Sequence, residues 1–233
     1  MFVINPYIYE TSWNWLLNNL VSYYKCDTNG SFPDSEWSND GTINGATYTA
    51  SGKINWAYDF DGSNDYISLS GLNISWYSAV SFNCWINWDL DTWGIQDVIN
   101  DRKTWWSGTW FVFYHTWSAW KFWYRTLNNN STSDEITESD TYIPTWTWTM
   151  ITCTYDGTTV RLYKNATAGG TNASTWNIGT VNSVELWSNR VLSGRYFNWK
   201  LDEIGFWDKA LSTDEIDALY NSWAWLSYDS FTS

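Results

Sequence analysis

Residues 149–165 read TMITCTYDGTTVRLYKN, and the fold is decided here. Ile151, Cys153 and Tyr155 alternate with Thr152 and Thr154, and a second alternating run follows Asp156-Gly157. Alternation with period two is the signature of a half-buried strand, because successive side chains point to opposite faces. Asp-Gly between two such runs marks a β-hairpin. A type I′ turn needs φ > 0 at both central positions, and Asp and Gly tolerate it. A type I′ hairpin is therefore expected at Asp156-Gly157.

Outward from the hairpin the same grammar repeats. Val80 to Ile86 alternates, with Val80, Phe82, Cys84 and Ile86 on one face. Leu20 to Cys26 is apolar and aromatic until DTNGSFPDSE interrupts it, and Ala57 to Leu69 encloses the turn DGSND. Phe111 to His115, Lys121 to Arg125, Val184 to Leu186 and Leu201 to Trp207 add short strands. The stretch NNNSTSDEITESD, 128–140, is read as a polar loop. Many short strands with regular turns predict an all-β chain, a two-sheet antiparallel β-sandwich or jelly roll. Its expected core holds Val80, Phe82, Cys84, Ile86, Ile151, Cys153 and Tyr155. One short C-terminal helix is expected in ALSTDEIDALYNS, where Ser212 and Glu215 form an S-x-x-E capping box and Ile216, Leu219 and Tyr220 share a face.

Composition bounds the function. The chain has 233 residues, 44% hydrophobic and 16% charged, with 12 Lys and Arg against 25 Asp and Glu, a net charge of -13. That length suits one sandwich domain. Such acidity excludes nucleic acid as a partner and disfavours an anionic membrane surface, and no apolar run is long enough for membrane insertion. The opening MFVINPYIYETS has neither a basic n-region nor a long apolar stretch, so no signal peptide is expected in this chain. Residues 1–19 are read as an N-terminal extension, 20–222 as the domain and 223–233 as a tail.

Tryptophan is the anomaly: 22 Trp against 14 Gly. Many lie among turn residues, as in SEWSND, KTWWSG, STWNIG, ELWSNR and YNSWAW, where glycine is the ordinary occupant because it alone takes φ > 0 without a Cβ clash. Trp85, Trp148 and Trp207 instead fall in strand patterns. The expectation is that most tryptophans other than these three and Trp88 stand at glycine positions, as UGA codons meaning glycine would if written as Trp. On that basis Trp105, Trp106, Trp117 and Trp120 are not a sugar-stacking platform. Trp199, following Asn198, is expected to occupy the glycine seat of a tight turn, with Trp146, Trp187 and Trp223 in the same position.

Three cysteines, Cys26, Cys84 and Cys153, form no C-x-x-C pair and are read as buried small hydrophobes. The single histidine, His115, lies in a strand pattern and has no second histidine to join in a zinc site or triad.

INWAYDFDGSNDYISL, AVSFNCWIN, TWTMITCTYDGTTVRLYKN and RYFNWKLDEIGFWDKALSTDEIDALYN, in that order, resemble the laminin-G-like, concanavalin A-like jelly-roll family. The resemblance runs from about Leu20 to Asn221, and it departs at Trp56, Trp146 and Trp199, where the family has glycine. It implies a structural Ca²⁺ held by Asp202 in the last strand, with Asp27 and the backbone near Asp61 and Gly62. The alternative for Asp61 and Asp65 is local Asx turns. The same fold hosts glucanases, but Glu215-Ile216-Asp217 only imitates half of their E-I-D-x-x-E strand pattern and falls in the helix. No enzyme is therefore expected. The resemblance implies a carbohydrate- or glycoconjugate-binding or adhesion module, extracellular or on a virion surface, facing a glycan or glycoprotein. Its site is expected in the loops, at Arg102, Lys103, Asn128 and Asn130. The alternative is a structural component of an extracellular or viral assembly.

Overall fold

A computed structural model describes residues 13–75, 77–88, 95–100, 110–116, 121–127, 133–137, 144–173, 184–186, 198–220 and 228–231. A 3-10 turn, Trp13–Leu16, precedes β1 (Leu20–Tyr24), β2 (Thr42–Asn44), β3 (Thr47–Thr49), β4 (Ala57–Asp59) and β5 (Tyr66–Leu69). Next come β6 (Val80–Trp88), β7 (Ile95–Asn100), β8 (Trp110–Thr116), β9 (Lys121–Leu127) and β10 (Ser133–Thr137). The chain continues through β11 (Trp148–Tyr155), β12 (Thr159–Lys164), β13 (Thr167–Ala173), β14 (Val184–Leu186) and β15 (Trp199–Trp207), then α1 (Thr213–Tyr220) and α2 (Tyr228–Phe231).

These strands form two antiparallel sheets. The first runs β13-β12-β11-β6-β15-β4-β3, with β1 also paired to β15; the second runs β10-β9-β8-β7-β14-β5-β2. Phe82, Cys84, Ile86, Ile151, Cys153 and Tyr155 all lie in the core between them, and Val80 packs at its margin. The three cysteines are buried thiols. The turn DGSND does more than reverse a strand: it carries the chain from β4 in the first sheet to β5 in the second. A jelly-roll sandwich is thus the architecture.

The outer face of the first sheet is buried as well. Trp85, Met150 and Trp207 point outward from β6, β11 and β15 and are covered by Leu16, Ile216, Leu219 and Tyr228. Trp207 Nε1 donates to the Leu16 carbonyl at 2.7 Å, so the indole is both packed and satisfied. Helix α1 begins as its sequence requires. The Ser212 hydroxyl accepts from Glu215 N at 3.3 Å while the Glu215 carboxylate accepts from Ser212 N at 2.8 Å. Its Tyr220 ring stacks on Trp85 with centroids 5.8 Å apart.

Several expectations need correcting. Residues 133–137 of the expected polar loop form β10, which pairs only with β9 at a sheet edge. An edge strand exposes one side to water and carries charge to discourage further pairing, which is why its composition reads as loop. The hairpin turn is not type I′. Tyr155 pairs with Val160, and of the Asp156-Gly157 pair only Gly157 takes positive φ, at 93°. The turn is closed instead by the Asp156 carboxylate, which accepts from Thr158 N at 2.9 Å and Thr159 N at 2.8 Å. Trp199 lies in no turn. It opens β15, pairs with Trp88, and is buried with its ring 5.0 Å from the Trp88 ring. Burying two indoles against each other outweighs the local turn propensity of Asn198. Trp146 does match its expectation: φ is 58° and the side chain is 63% exposed. Trp187 and Trp223 lie outside the described residues, as do Trp105, Trp106, Trp117 and Trp120.

Two stability predictions follow from these contacts. Trp146→Gly should raise the thermal midpoint, by relief of about 1–2 kcal/mol of left-handed strain at a site that buries little. Trp199→Gly should lower it, by about 3–5 kcal/mol for the cavity left beside Trp88. The Arg161 guanidinium and the turn donors hold the Asp156 carboxyl well below the usual carboxylate range. A depressed pKa contributes stability above the unfolded value of about 4 and loses it as pH falls below that. Asp156→Asn should therefore cost about 1 kcal/mol at pH 7, a figure discounted for solvent contact. In urea melts the gap to the parent should close towards pH 2.

Candidate functional site

The last strand of the first sheet carries an irregularity that gathers charge. Between Asp202 and Gly205 the register of β15 against β6 shifts, and Glu203 takes a left-handed φ of 48°. The extra residue lets Leu201 and Ile204 both face the core and leaves two consecutive carboxylates buried. Asp202 accepts from Glu203 N at 2.9 Å and from Ile54 N at 2.8 Å. Glu203 accepts from the Tyr23 hydroxyl at 2.6 Å. Its other oxygen, Oε1, is buried with no hydrogen-bond partner among the described residues. Burial pushes the Asp202 carboxyl up, reinforced by the charge of Glu203, and burial pushes Glu203 up to about 8.

Asp27 borders this corner and acts as a clamp. Its Oδ1 accepts from Trp56 N and its Oδ2 from Asn55 Nδ2, both at 3.2 Å. Its carbonyl accepts from the Tyr48 hydroxyl at 2.6 Å. The Tyr48 and Trp56 rings stack 4.6 Å apart and 9° from parallel. The loop closes tightly, since a Cβ at Gly52 would collide with the Trp56 carbonyl.

Of the residues expected to hold calcium, Asp27 and Asp202 come together; both bear electrostatically on Glu203 and Cys26. Asp61 and Gly62 do not join them. Gly62 lies against Asn198, four residues before Asp202, roughly 13 Å along an extended strand. Asp61 instead accepts from Ser63 N at 2.8 Å, an Asx turn, while Asp65 reaches back to accept from Asp61 N at 3.0 Å, closing the turn without being an Asx turn. Among the described residues no three His, Cys, Asp or Glu side chains form a ready-made metal group. Both carboxylate oxygens of Asp27 are already engaged, by Trp56 N and Asn55 Nδ2. The sequence pattern missed Glu203 because a carboxylate beside Asp202 reads as an exposed strand position until the bulge is known.

A second arrangement lies on the outer face of the second sheet. Glu185 stands between the core residues Val184 and Leu186, so it points away from the core. Across β14 its register partners are Ser68 on β5 and Asn100 on β7, and Ser68 in turn pairs with Thr42 on β2. Thr42, Ser68, Glu185 and Asn100 therefore form one polar row across four neighbouring strands. The row descends from an exposed Thr42 through a half-buried Ser68 to Glu185, 9% exposed, and Asn100, 2% exposed. Along the backbone the register continues from Asn100 to Val112, Arg125 and Glu135. Arg102, Lys103, Asn128 and Asn130 lie outside the described residues. The segments containing them, 101–109 and 128–132, connect β7 to β8 and β9 to β10, and both leave the sheet from the same end. Glu215-Ile216-Asp217 lies in α1 rather than in a strand.

Two antiparallel sheets packed face to face define the class of scaffold, a jelly-roll β-sandwich. The chain belongs to the concanavalin A-like lectin/glucanases superfamily, whose Laminin_G_3 model matches residues 61–217. No curated protein matches it in sequence. Among solved structures it is similar to the binding domain of Paraclostridial Mosquitocidal Protein 1, with TM-score 0.72 and 18% identity over 89% of this chain and 53% of that one. It is similar to domain 4 of AbnA, an extracellular arabinanase from Geobacillus stearothermophilus solved with arabinotriose, with TM-score 0.68 and 20% identity over 87% of this chain and 98% of that one. The binding domain of botulinum neurotoxin serotype D gives TM-score 0.69 and 12% identity over 88% and 52%. The chain thus spans about half the length of the toxin domains it matches. At these identities the likeness is one of fold. Among the described residues no helix is long and apolar enough to cross a membrane.

The clamp generates a test. Asp27→Ala would remove the charged acceptor of the Trp56 amide and the Asn55 side chain and so loosen the loop, while the Tyr48 hydroxyl keeps the backbone carbonyl. It should cost about 1–3 kcal/mol in chemical denaturation, whereas Asp61→Ala, which loses only a local turn contact, should cost less than about 1 kcal/mol.

Proposed function

We propose that the chain is a non-catalytic module that binds carbohydrate or a glycoconjugate, and that the polar row Thr42, Ser68, Glu185 and Asn100 is where it does so. The observation that carries this is a carboxylate and an amide buried on the outer face of a sheet, level with two hydroxyl residues. Hydroxyl, carboxylate and amide side chains supply the mixed donors and acceptors that sugar hydroxyls require, and a rigid sheet holds them at fixed spacing. Arg102, Lys103, Asn128 and Asn130, in the segments that join β7 to β8 and β9 to β10, enter this reading as further proposed contacts.

The similar structures support it: one is the domain of an arabinanase solved with arabinotriose, and others are toxin binding domains. The extracellular arabinanase also supports an extracellular setting. A structural Ca²⁺ near Asp27 and Asp202, the two of the four expected residues that come together, belongs to the same proposal.

A glycan array followed by calorimetry tests the reading. The parent should bind at least one neutral glycan, and Glu185→Ala should weaken that binding by about tenfold or more, the loss of a buried polar contact. Addition of EDTA should lower the melting midpoint without changing the glycan preference. Failure of every glycan to bind, with the chain folded, would overturn the proposal.

A further inference from the structure

The chain contains two Asn-Gly dipeptides, Asn29-Gly30 and Asn44-Gly45, and the fold treats them oppositely. In such a pair the glycine amide nitrogen is the least hindered nucleophile a backbone offers, because no Cβ stands beside it. It reaches the side-chain carbonyl carbon of the preceding asparagine only if the asparagine backbone and side chain turn to meet it. What surrounds each pair decides whether they turn.

Asn44 is held at the bonds that would have to rotate. It closes β2, paired with Tyr66 of β5, and its Nδ2 donates to the Thr42 carbonyl at 3.1 Å. Gly45 lies hard against Asp65, since a Cβ there would collide with Asp65 Oδ1. A carboxylate in that position also opposes the loss of the glycine N–H proton that the attack requires. Asn29 has none of these restraints. It lies in the exposed run Thr28 to Ser31, outside any strand, and its side chain makes no hydrogen bond among the described residues. Gly30 has φ of 74°, and a Cβ added to it would have no atom within 4 Å. The run is fastened from beneath by the buried Tyr58, whose hydroxyl donates to the Thr28 carbonyl at 2.7 Å and lies 3.0 Å from the Ser31 carbonyl.

We infer that Asn29-Gly30 is a site of spontaneous covalent modification, where solvent water converts the asparagine to aspartate and isoaspartate while Asn44 is spared. Gly30 N gives up its proton to solvent base and bonds to Asn29 Cγ. The Cγ–Nδ2 bond breaks, and the side-chain nitrogen takes up a proton and leaves as ammonia. Water then opens the resulting five-membered succinimide at either of its carbonyls. Opening at one restores the ordinary backbone with an aspartate side chain. Opening at the other leads the backbone through the former side chain, as isoaspartate, and lengthens it by one methylene. Nothing is oxidised or reduced, and either product adds one negative charge to a chain of net charge -13. Isoaspartate has a further consequence. Its extra methylene falls between the two carbonyls that face the Tyr58 hydroxyl, so the pair loses its spacing and a buried phenol loses part of its partnership. The spared dipeptide ends β2, the strand that carries Thr42 of the polar row.

Incubation of the whole chain at mildly alkaline pH, followed by peptide mapping with mass spectrometry, tests the site. In the folded chain Asn29 should convert at least about tenfold faster than Asn44, a barrier difference of about 1.4 kcal/mol. In guanidinium the two should convert at similar rates, since the chemistry is local to each dipeptide and only the fold separates them. Asn29→Gln should gain no charge at that position. The isoaspartate fraction, separated by chromatography, should melt below the fresh protein, while Asn29→Asp, which carries the charge without the methylene, should melt near the parent. Asn29 converting no faster than Asn44 in the folded chain would overturn the assignment. An isoaspartate fraction that melts with the parent would overturn the consequence drawn for Tyr58.

Discussion

The central strands of the first sheet, β11, β6 and β15, are buried on both faces, and much of the molecule is arranged to permit it. β6 and β15 are covered almost residue by residue, with Phe82, Cys84 and Ile86 packed inward and Trp85 and Trp207 outward. With neither face wet, the polar residues that alternate along β6 must be satisfied where they are buried, as Ser81 is by the Lys209 carbonyl and Asn83 by the Thr152 hydroxyl. The outward side chains must find a second apolar layer. The turn ending in Leu16, the stripe of α1 and Tyr228 of α2 supply it, so segments on either side of the domain as read from sequence pack as part of its structure. Tyr228 also donates to Glu36 at 2.7 Å, tying the far end of the chain to the loop after β1.

What the sequence made legible, and what it did not, divides along the same line. The hairpin around Asp156, the core of β6 and β11 and the capping box at Ser212 are local patterns, each complete within a few residues. β2, β3 and β13 are short or edge strands, and β13 reads TAGGTNA, with nothing to betray a ladder until β12 lies beside it. Trp199 was misplaced because Asn198 suggests a turn, while the decisive contact, Trp88, is distant in sequence. Of the candidate site, Asp27 and Asp202 could be found by resemblance. The roles of Glu203 and Glu185 could not, because one depends on a bulge and the other on which face of a three-residue strand looks outward.

Acid chemistry in this protein has two unlike settings. Asp34 is buried but fully engaged, accepting from Ser22 Oγ and Tyr23 N at 3.0 Å and from Glu36 N at 3.1 Å. It is a structural knot that holds the loop after β1 to the sheet. Asp202 and Glu203, by contrast, are adjacent, buried and mutually repulsive, with one oxygen left over. Proteins rarely keep such a pair without a use for it, since an isolated buried carboxylate is costly. Asp27 links this pair to the surface, for the same carboxylate accepts from the Trp56 amide and the Asn55 side chain.

The pairing of β1 with β15 has a consequence for how the molecule is made. Tyr23 lies opposite Gly205 and Tyr24 opposite Ile204, and β15 also separates β6 from β4 at the middle of the first sheet. During synthesis the ribosome releases β1, β4 and β6 long before their common neighbour exists. Until β15 emerges, the centre of that sheet has a strand-wide gap with unpaired edges on either side. Contacts so remote in sequence close slowly, and open edges invite pairing with other chains. The nascent chain therefore depends on being shielded from its own copies until the final strand slots in, and completion of the sheet is a late, single event.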